Sequence, residues 1–177
     1  MTRMMGRLLL AALLCSETHA NNFNYSNLEI GSTLDLDAVY VAGYFSVADN
    51  AHLLGSVSSQ FERDWIARVG AGFHAPINNI SDILGNLLFY NIKSSSITDD
   101  WYGDFAFGIE IGGRIWLNPA LELNAMLGRI SYAGDKDDNT ATAGVRFHST
   151  DNISVGAQYD AIGIFEQKFF INVRFEF

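Results

Sequence analysis

KFFINVRFEF, Lys168 to Phe177, reads as a β-strand more plainly than any other stretch of the chain. Phe169, Ile171, Val173, Phe175 and Phe177 alternate with Lys168, Phe170, Asn172, Arg174 and Glu176, so one face is wholly apolar and the other mostly polar or charged. Side chains that change face at every residue mark a pleated strand, because a helix would return to the same face only after a full turn.

The same alternation recurs upstream, interrupted by short turn signals at Ala48-Asp49-Asn50, Pro76 to Ser81, Asn118-Pro119-Ala120 and Thr150-Asp151-Asn152. Asn50, Asn79, Asn118 and Asn152 are spaced by 29, 39 and 34 residues, room for two strands and one loop on the other side. Four hairpins supply eight strands. Ser26 to Ser32 and the terminal stretch add two, so ten strands are expected, with eight as the alternative. Between the turns lie Thr33 to Asp37, Arg63-Asp64, Ser94 to Tyr102, Ala133 to Asn139 and Gly163 to Gln167, segments richer in acids such as Asp35, Asp99, Asp100 and Asp135.

The aromatic carboxy-terminus after alternating hydrophobic residues resembles the ending of Gram-negative outer-membrane β-barrel proteins. The resemblance covers essentially the whole chain after the leader, through architecture and the terminal Phe177. It implies an all-β, transmembrane, antiparallel up-and-down barrel, with short turns at the periplasmic end and longer loops at the extracellular end. It further implies residence in the cell outer membrane among its lipids and lipopolysaccharide, and recognition of Phe177 by the barrel-assembly machinery.

Strand phase, set from apolar residues alone, is tested by where the charges fall. Leu28 and Ile30, Val41 and Phe45, Leu53 and Val57, Val69 and Phe73, Ile83, Leu87 and Phe89, Phe105 to Ile115 in alternation, Leu123 and Leu127, Val145 and Phe147, and Val155 and Tyr159 form the outward set. The opposite face collects Glu29, Glu62, Arg68, Asp104, Glu110, Arg114, Glu122, Arg146, Asp160, Lys168, Arg174 and Glu176. A basic residue at mid-depth on the lipid face costs about 2–4 kcal/mol, so this is the partition a bilayer requires. Arg129 and Lys93 break phase near loop ends, where long side chains reach the interface. In the fifth strand Leu84, Leu88 and Tyr90 make both faces apolar and leave its phase ambiguous.

At the amino-terminus, Arg3 and Arg7 precede the apolar run Leu8 to Leu14 and the polar exit Ser16 to Ala20. This is the pattern of a signal peptide over residues 1–20, cleaved after Ala20, with the barrel domain at 21–177. Cys15 as a lipidation site is disfavoured by the bulky Leu14 before it. Cleavage removes the chain's one cysteine, and with it disulfide, thiolate-metal and cysteine-nucleophile chemistry. Without Arg3, Arg7 and Glu17, the 11 basic and 20 acidic residues fall to 9 and 19, an acidic balance that argues against nucleic acid or anionic lipid as a binding partner.

The inward charges share their face with Tyr40, Tyr44, Gln60, His74 and Gln158. Side chains fill the interior of a barrel of about eight strands, whereas an aqueous channel takes about sixteen. The expected function is therefore a non-enzymatic barrel with a structural or surface-interaction role, its interior filled by ion pairs of Arg68, Arg114, Arg146 and Arg174 with Glu62, Glu110, Glu122 and Glu176. On that reading Arg114→Ala destabilises the barrel without creating a conductance. The alternative is a narrow, porin-like pore for small solutes. A surface hydrolase resembling omptin proteases or lipid A deacylases is the third. Against it, His52, His74 and His148 all lie beside turns at the end away from the surface loops, and His148-Ser149, being adjacent in a strand, point to opposite faces. Asp135, Asp137 and Asn139 have the spacing that opens a calcium loop, but Thr140 and Arg146 stand where Gly and Glu belong. No catalytic, cofactor-binding or metal residues are assigned, and no cofactor is expected.

Overall fold

Alternation becomes closure: ten antiparallel strands, each paired with its sequence neighbours, form a barrel sealed by β1 against β10. The strands are β1 (Asn27–Thr33), β2 (Val39–Ala48), β3 (Ala51–Ser59), β4 (Trp65–Asn78), β5 (Ser81–Lys93), β6 (Asp104–Asn118), β7 (Leu121–Tyr132), β8 (Asp137–His148), β9 (Ile153–Ile162) and β10 (Lys168–Glu176). This computed structural model describes residues 23–34, 37–60, 64–93, 104–132, 137–162 and 167–177. The leader, Phe61, Glu62, Arg63, Asp35, Asp99, Asp100, Asp135 and most of the loops 94–102, 133–136 and 163–166 lie outside the described residues.

Turn chemistry explains the short end. Asn78 and Asn118 each accept a hydrogen bond from the backbone N–H two residues on, Ile80 and Ala120 at 2.9 Å, which closes the β4–β5 and β6–β7 hairpins. The ladder register shifts beside each of these turns, between Pro76 and Asn78 and between Trp116 and Asn118, so each hairpin enters its turn through a bulge. At the other end, β8 begins earlier than the sequence suggests. Asp137 and Asn139 are strand residues paired with Ser131 and Arg129, so the acidic stretch there is partly wall and not loop. With Asp137 bonded to Arg129, those two residues are extended and cannot curl around an ion as a calcium loop must.

The outward residues form an exposed apolar belt that includes Val69, Leu87, Phe89, Phe105, Ile109, Ile111 and Leu127. Of the twelve charges assigned to the opposite face, all but Glu62 fall within the described residues; Glu29, Arg114 and Arg146 are buried in the interior and Glu122 fully so. The fifth strand resolves cleanly: Ile83, Leu87 and Phe89 face out, while Leu84, Leu88, Tyr90 and Ile92 face in. Its inner residues Leu88, Tyr90 and Ile92 pack with Leu54, Ala106 and Ile130 into an apolar cluster inside the barrel. Both faces of β5 are apolar because one meets lipid and the other meets this cluster.

Candidate functional site: the lumen

Three layers of side chains cross the lumen. One is an ion-pair layer. Arg114 grips Glu122 with two hydrogen bonds, Nε to Oε1 at 2.8 Å and Nη2 to Oε2 at 2.9 Å. Arg146 and Arg174 converge on one carboxylate, Glu29, at 2.6 and 3.0 Å. Arg146 also donates to Asn172 Oδ1 and Ser154 Oγ, and Tyr40 donates to Glu29 at 2.5 Å. Arg68 pairs with Glu110 and Arg114 with Glu122, both carboxylates among those the sequence offered as lumen partners without assigning them to particular arginines. Arg146 and Arg174 instead choose Glu29, which the expected partner set did not include, and Glu176 lies 3.9 Å from His148.

The middle layer is sparser. Arg68 bonds Ser56 at 2.7 Å and Glu110 at 3.2 Å, and Glu110 also accepts from Tyr90 and Asn86. Above it, towards the loops, Gln158 donates to Asp160 and Lys168 pairs with Asp37. Side chains leave a cavity of about 240 Å3 in the lumen, whose lining runs from Tyr25 and Arg114 at the turn end past Arg68 and Glu110 to Lys168 and Phe170 towards the loops.

The third element is one that strand reasoning missed. Residues 23–26 precede β1 and carry no ladder of their own, yet Phe23 and Tyr25 are buried. The segment turns in from the wall at Ser26, whose carbonyl accepts the Phe177 N–H, and crosses the turn end of the lumen. Phe23 stacks on Trp116 of β6 with ring centroids 5.2 Å apart. Tyr25 stacks on His74 of β4 at 3.6 Å and on His52 of β3 at 5.4 Å, and its hydroxyl donates to Asp82 of β5 at 2.8 Å. The Arg114 guanidinium lies 4.5 Å from the Phe23 ring centre and 5.2 Å from that of Tyr25, within cation–π range. In a ring of ten strands β6 is opposite β1, so these contacts span the mouth. Burial, only partly offset by the nearby Arg114, holds the Tyr25 phenol well above its ordinary pKa, which keeps it a neutral donor to Asp82. The signal that could have revealed the segment is its own alternation, since Phe23 and Tyr25 continue the inward phase of Asn27 and Glu29.

The histidines serve this closure. His52 and His74 face each other through their Nδ1 atoms at 3.0 Å; His52 Nε2 meets Asn86 Oδ1 at 3.2 Å and His74 Nε2 meets the Asp49 carbonyl at 3.0 Å. Gly72 makes room for them, since a Cβ there would collide with the His52 ring and the Asn86 amide. His148 faces Glu122 at 3.0 Å, while Ser149 turns away and donates to the Ile153 carbonyl, so the adjacent pair does not share a proton. Among the described residues no group of three His, Cys, Asp or Glu is arranged to hold a metal ion.

A closed antiparallel transmembrane barrel with an apolar outside and a charged, partly open lumen defines the class. Comparison with known proteins agrees at the level of fold. KdgM porin is similar over 86% of this chain and 98% of its own, with a TM-score of 0.50 and 12% identity. NanC porin is similar over the same shares, with a TM-score of 0.50 and 8% identity. No protein-family model and no curated protein matches the sequence.

Proposed function

We propose that the protein is a narrow, porin-like outer-membrane pore for small polar solutes. The observation that carries this reading is the cavity of about 240 Å3 along the lumen, lined by tyrosines, amides and charges of both signs together with apolar residues such as Leu84, Met126 and Ile130, and left unfilled by the side chains around it. A barrel evolved only as a solid strut would pack that space. The likeness to two porins supports the choice of barrel type; a KdgM porin is described with oligogalacturonate, an acidic sugar polymer. The lumen here pairs its cations with carboxylates, as Arg68 with Glu110, which favours small polar solutes of either sign over a polyanion. On this proposal the chain is exported behind a leader cleaved after Ala20, sits among outer-membrane lipids and lipopolysaccharide, and is handed to the assembly machinery through Phe177.

The test is electrical recording from the refolded protein in planar bilayers. Uniform unitary steps are expected, and Arg68→Gln, which leaves Glu110 without its cation beside the path, is expected to shift permeability towards cations. Steps whose selectivity ignores Arg68→Gln would remove the cavity from the conduction path. The second reading, a structural or surface-interaction barrel, is favoured by the dense ion-pair layer around Arg114, Glu122, Glu29 and Arg146. Silent wild-type protein together with silent Arg68→Gln and silent Arg114→Ala, all folded, would select it.

A further inference from the structure

We propose that residues 23–25 form a gate: Phe23 and Tyr25 close the turn-end mouth of the lumen and swing out about the anchored Ser26 to open it. The inference rests on the narrow-pore reading and names what controls the pore.

The segment has the mechanical properties of a gate. Ser26 is tied to the wall, its carbonyl accepting the Phe177 N–H at 3.1 Å and its hydroxyl the Ser46 N–H at 3.2 Å, but residues 23–25 lie outside the paired ladder, which starts at Asn27, so they can leave without unpairing a strand. The segment's rings are held by side-chain contacts across the mouth: Phe23 on Trp116, Tyr25 on His74, the Tyr25 hydroxyl on Asp82, and Arg114 beside both rings. Two long polar contacts add to these, Arg114 Nη1 to the Asn24 carbonyl at 3.5 Å and Asn24 Nδ2 to the Phe177 carbonyl at 3.4 Å. Aromatic stacking and single hydrogen bonds are each modest terms, so a handful of them holds a closed state against an open one without making it permanent.

The closed state also carries a built-in cost. Asp82 gives one carboxylate oxygen to Tyr25 while the other, Oδ1, is buried with no hydrogen-bond partner among the described residues. A buried acceptor without a partner is unfavourable, and opening the mouth admits water to it. Opening therefore recovers part of what is lost when the rings unstack. The receiving surface stays in place when the segment leaves, because Arg114 is held independently by Glu122 and His52 by Asn86. Closure can then recur on the same residues.

The test compares single-channel records of the refolded wild type, the double variant F23S/Y25S, and Tyr25→Phe, each checked for strand content by far-ultraviolet circular dichroism. The wild type is expected to be mostly closed with brief openings. The double variant is expected to raise open probability about tenfold or more at unchanged unit conductance, since it removes two stacks and a hydrogen bond. Tyr25→Phe keeps the ring but loses the Asp82 bond, and is expected to fall between them; it decides the matter alone if the double variant does not fold. Equal open probabilities in all three overturn the gate and leave the pore standing. A larger unit conductance with unchanged open time makes the segment a static constriction and also overturns the gate. Silence in all folded proteins overturns the pore and the gate with it.

Discussion

Arg114 shows how much one residue can hold. Its guanidinium binds both oxygens of the fully buried Glu122 and supports the Phe23 and Tyr25 rings. In Arg114→Ala the Glu122 carboxylate keeps only His148 at 3.0 Å and Arg174 at 4.0 Å. Leaving one partner of a buried pair exposed to an apolar surround costs about 3–5 kcal/mol, so the urea midpoint of the refolded barrel is expected to fall clearly. A midpoint equal to wild type would mean that water already solvates this layer. The filled-interior reading has this variant stay non-conducting. The gate proposal expects otherwise, because Arg114 lies against both of its rings: the folded variant is expected to open more often than wild type in bilayer recordings.

At the scale of an element, β5 is the strand whose environment can be tested by neighbours. Leu88 is fully buried in the interior cluster with Tyr90, Ile92 and Ile130, whereas Leu87 is half exposed on the outer face. Truncating Leu88 leaves a void among rigid ring and aliphatic neighbours, and Leu88→Ala is expected to cost about 2–5 kcal/mol. Leu87→Ala removes atoms that lipid chains can replace, so it is expected to cost well under half as much in a bilayer. Equilibrium unfolding in lipid vesicles measures both. The reverse ranking would place β5 one residue out of register, since a slip of one exchanges its faces.

At the scale of the whole molecule, the carboxy-terminus separates assembly from stability. Phe177 is 69% exposed, and its described polar contacts are backbone ones, its N–H to Ser26 and its carbonyl from the Asn24 amide at 3.4 Å. Replacing its side chain with a charged one, as in Phe177→Lys, touches no interior contact. The folded barrel is therefore expected to keep its urea midpoint within about 0.5 kcal/mol, while the amount assembled in the outer membrane of living cells falls several-fold. Wild-type levels in the membrane would show that the terminal aromatic is not what the assembly machinery reads.

What the sequence by itself determined was everything local to a strand. Period-2 alternation gave the strands, Asn-rich turns gave their number, and the side on which Glu29, Arg68, Glu110 and Arg146 fell gave the face turned inward. Pleat geometry makes each of these readable from a few consecutive residues. Only the tertiary structure decided which charge meets which. Arg146 reaches Glu29 across 117 positions of sequence, and Tyr25 reaches Asp82 across 57. Such partners follow from the register of every intervening strand and from closure of the ring, and a one-residue slip anywhere would exchange them. Ile83, Leu87 and Phe89 already pointed β5 outward in the sequence, and Phe23 and Tyr25 already alternated, but what the inward Leu84, Leu88, Tyr90, Phe23 and Tyr25 would meet was out of reach for the same reason. An apolar residue that leaves the lipid face looks alike whether it packs inside a lumen or belongs to a loop, and it is the far wall of the barrel, with Trp116, His74 and Leu54 waiting there, that gives it a place.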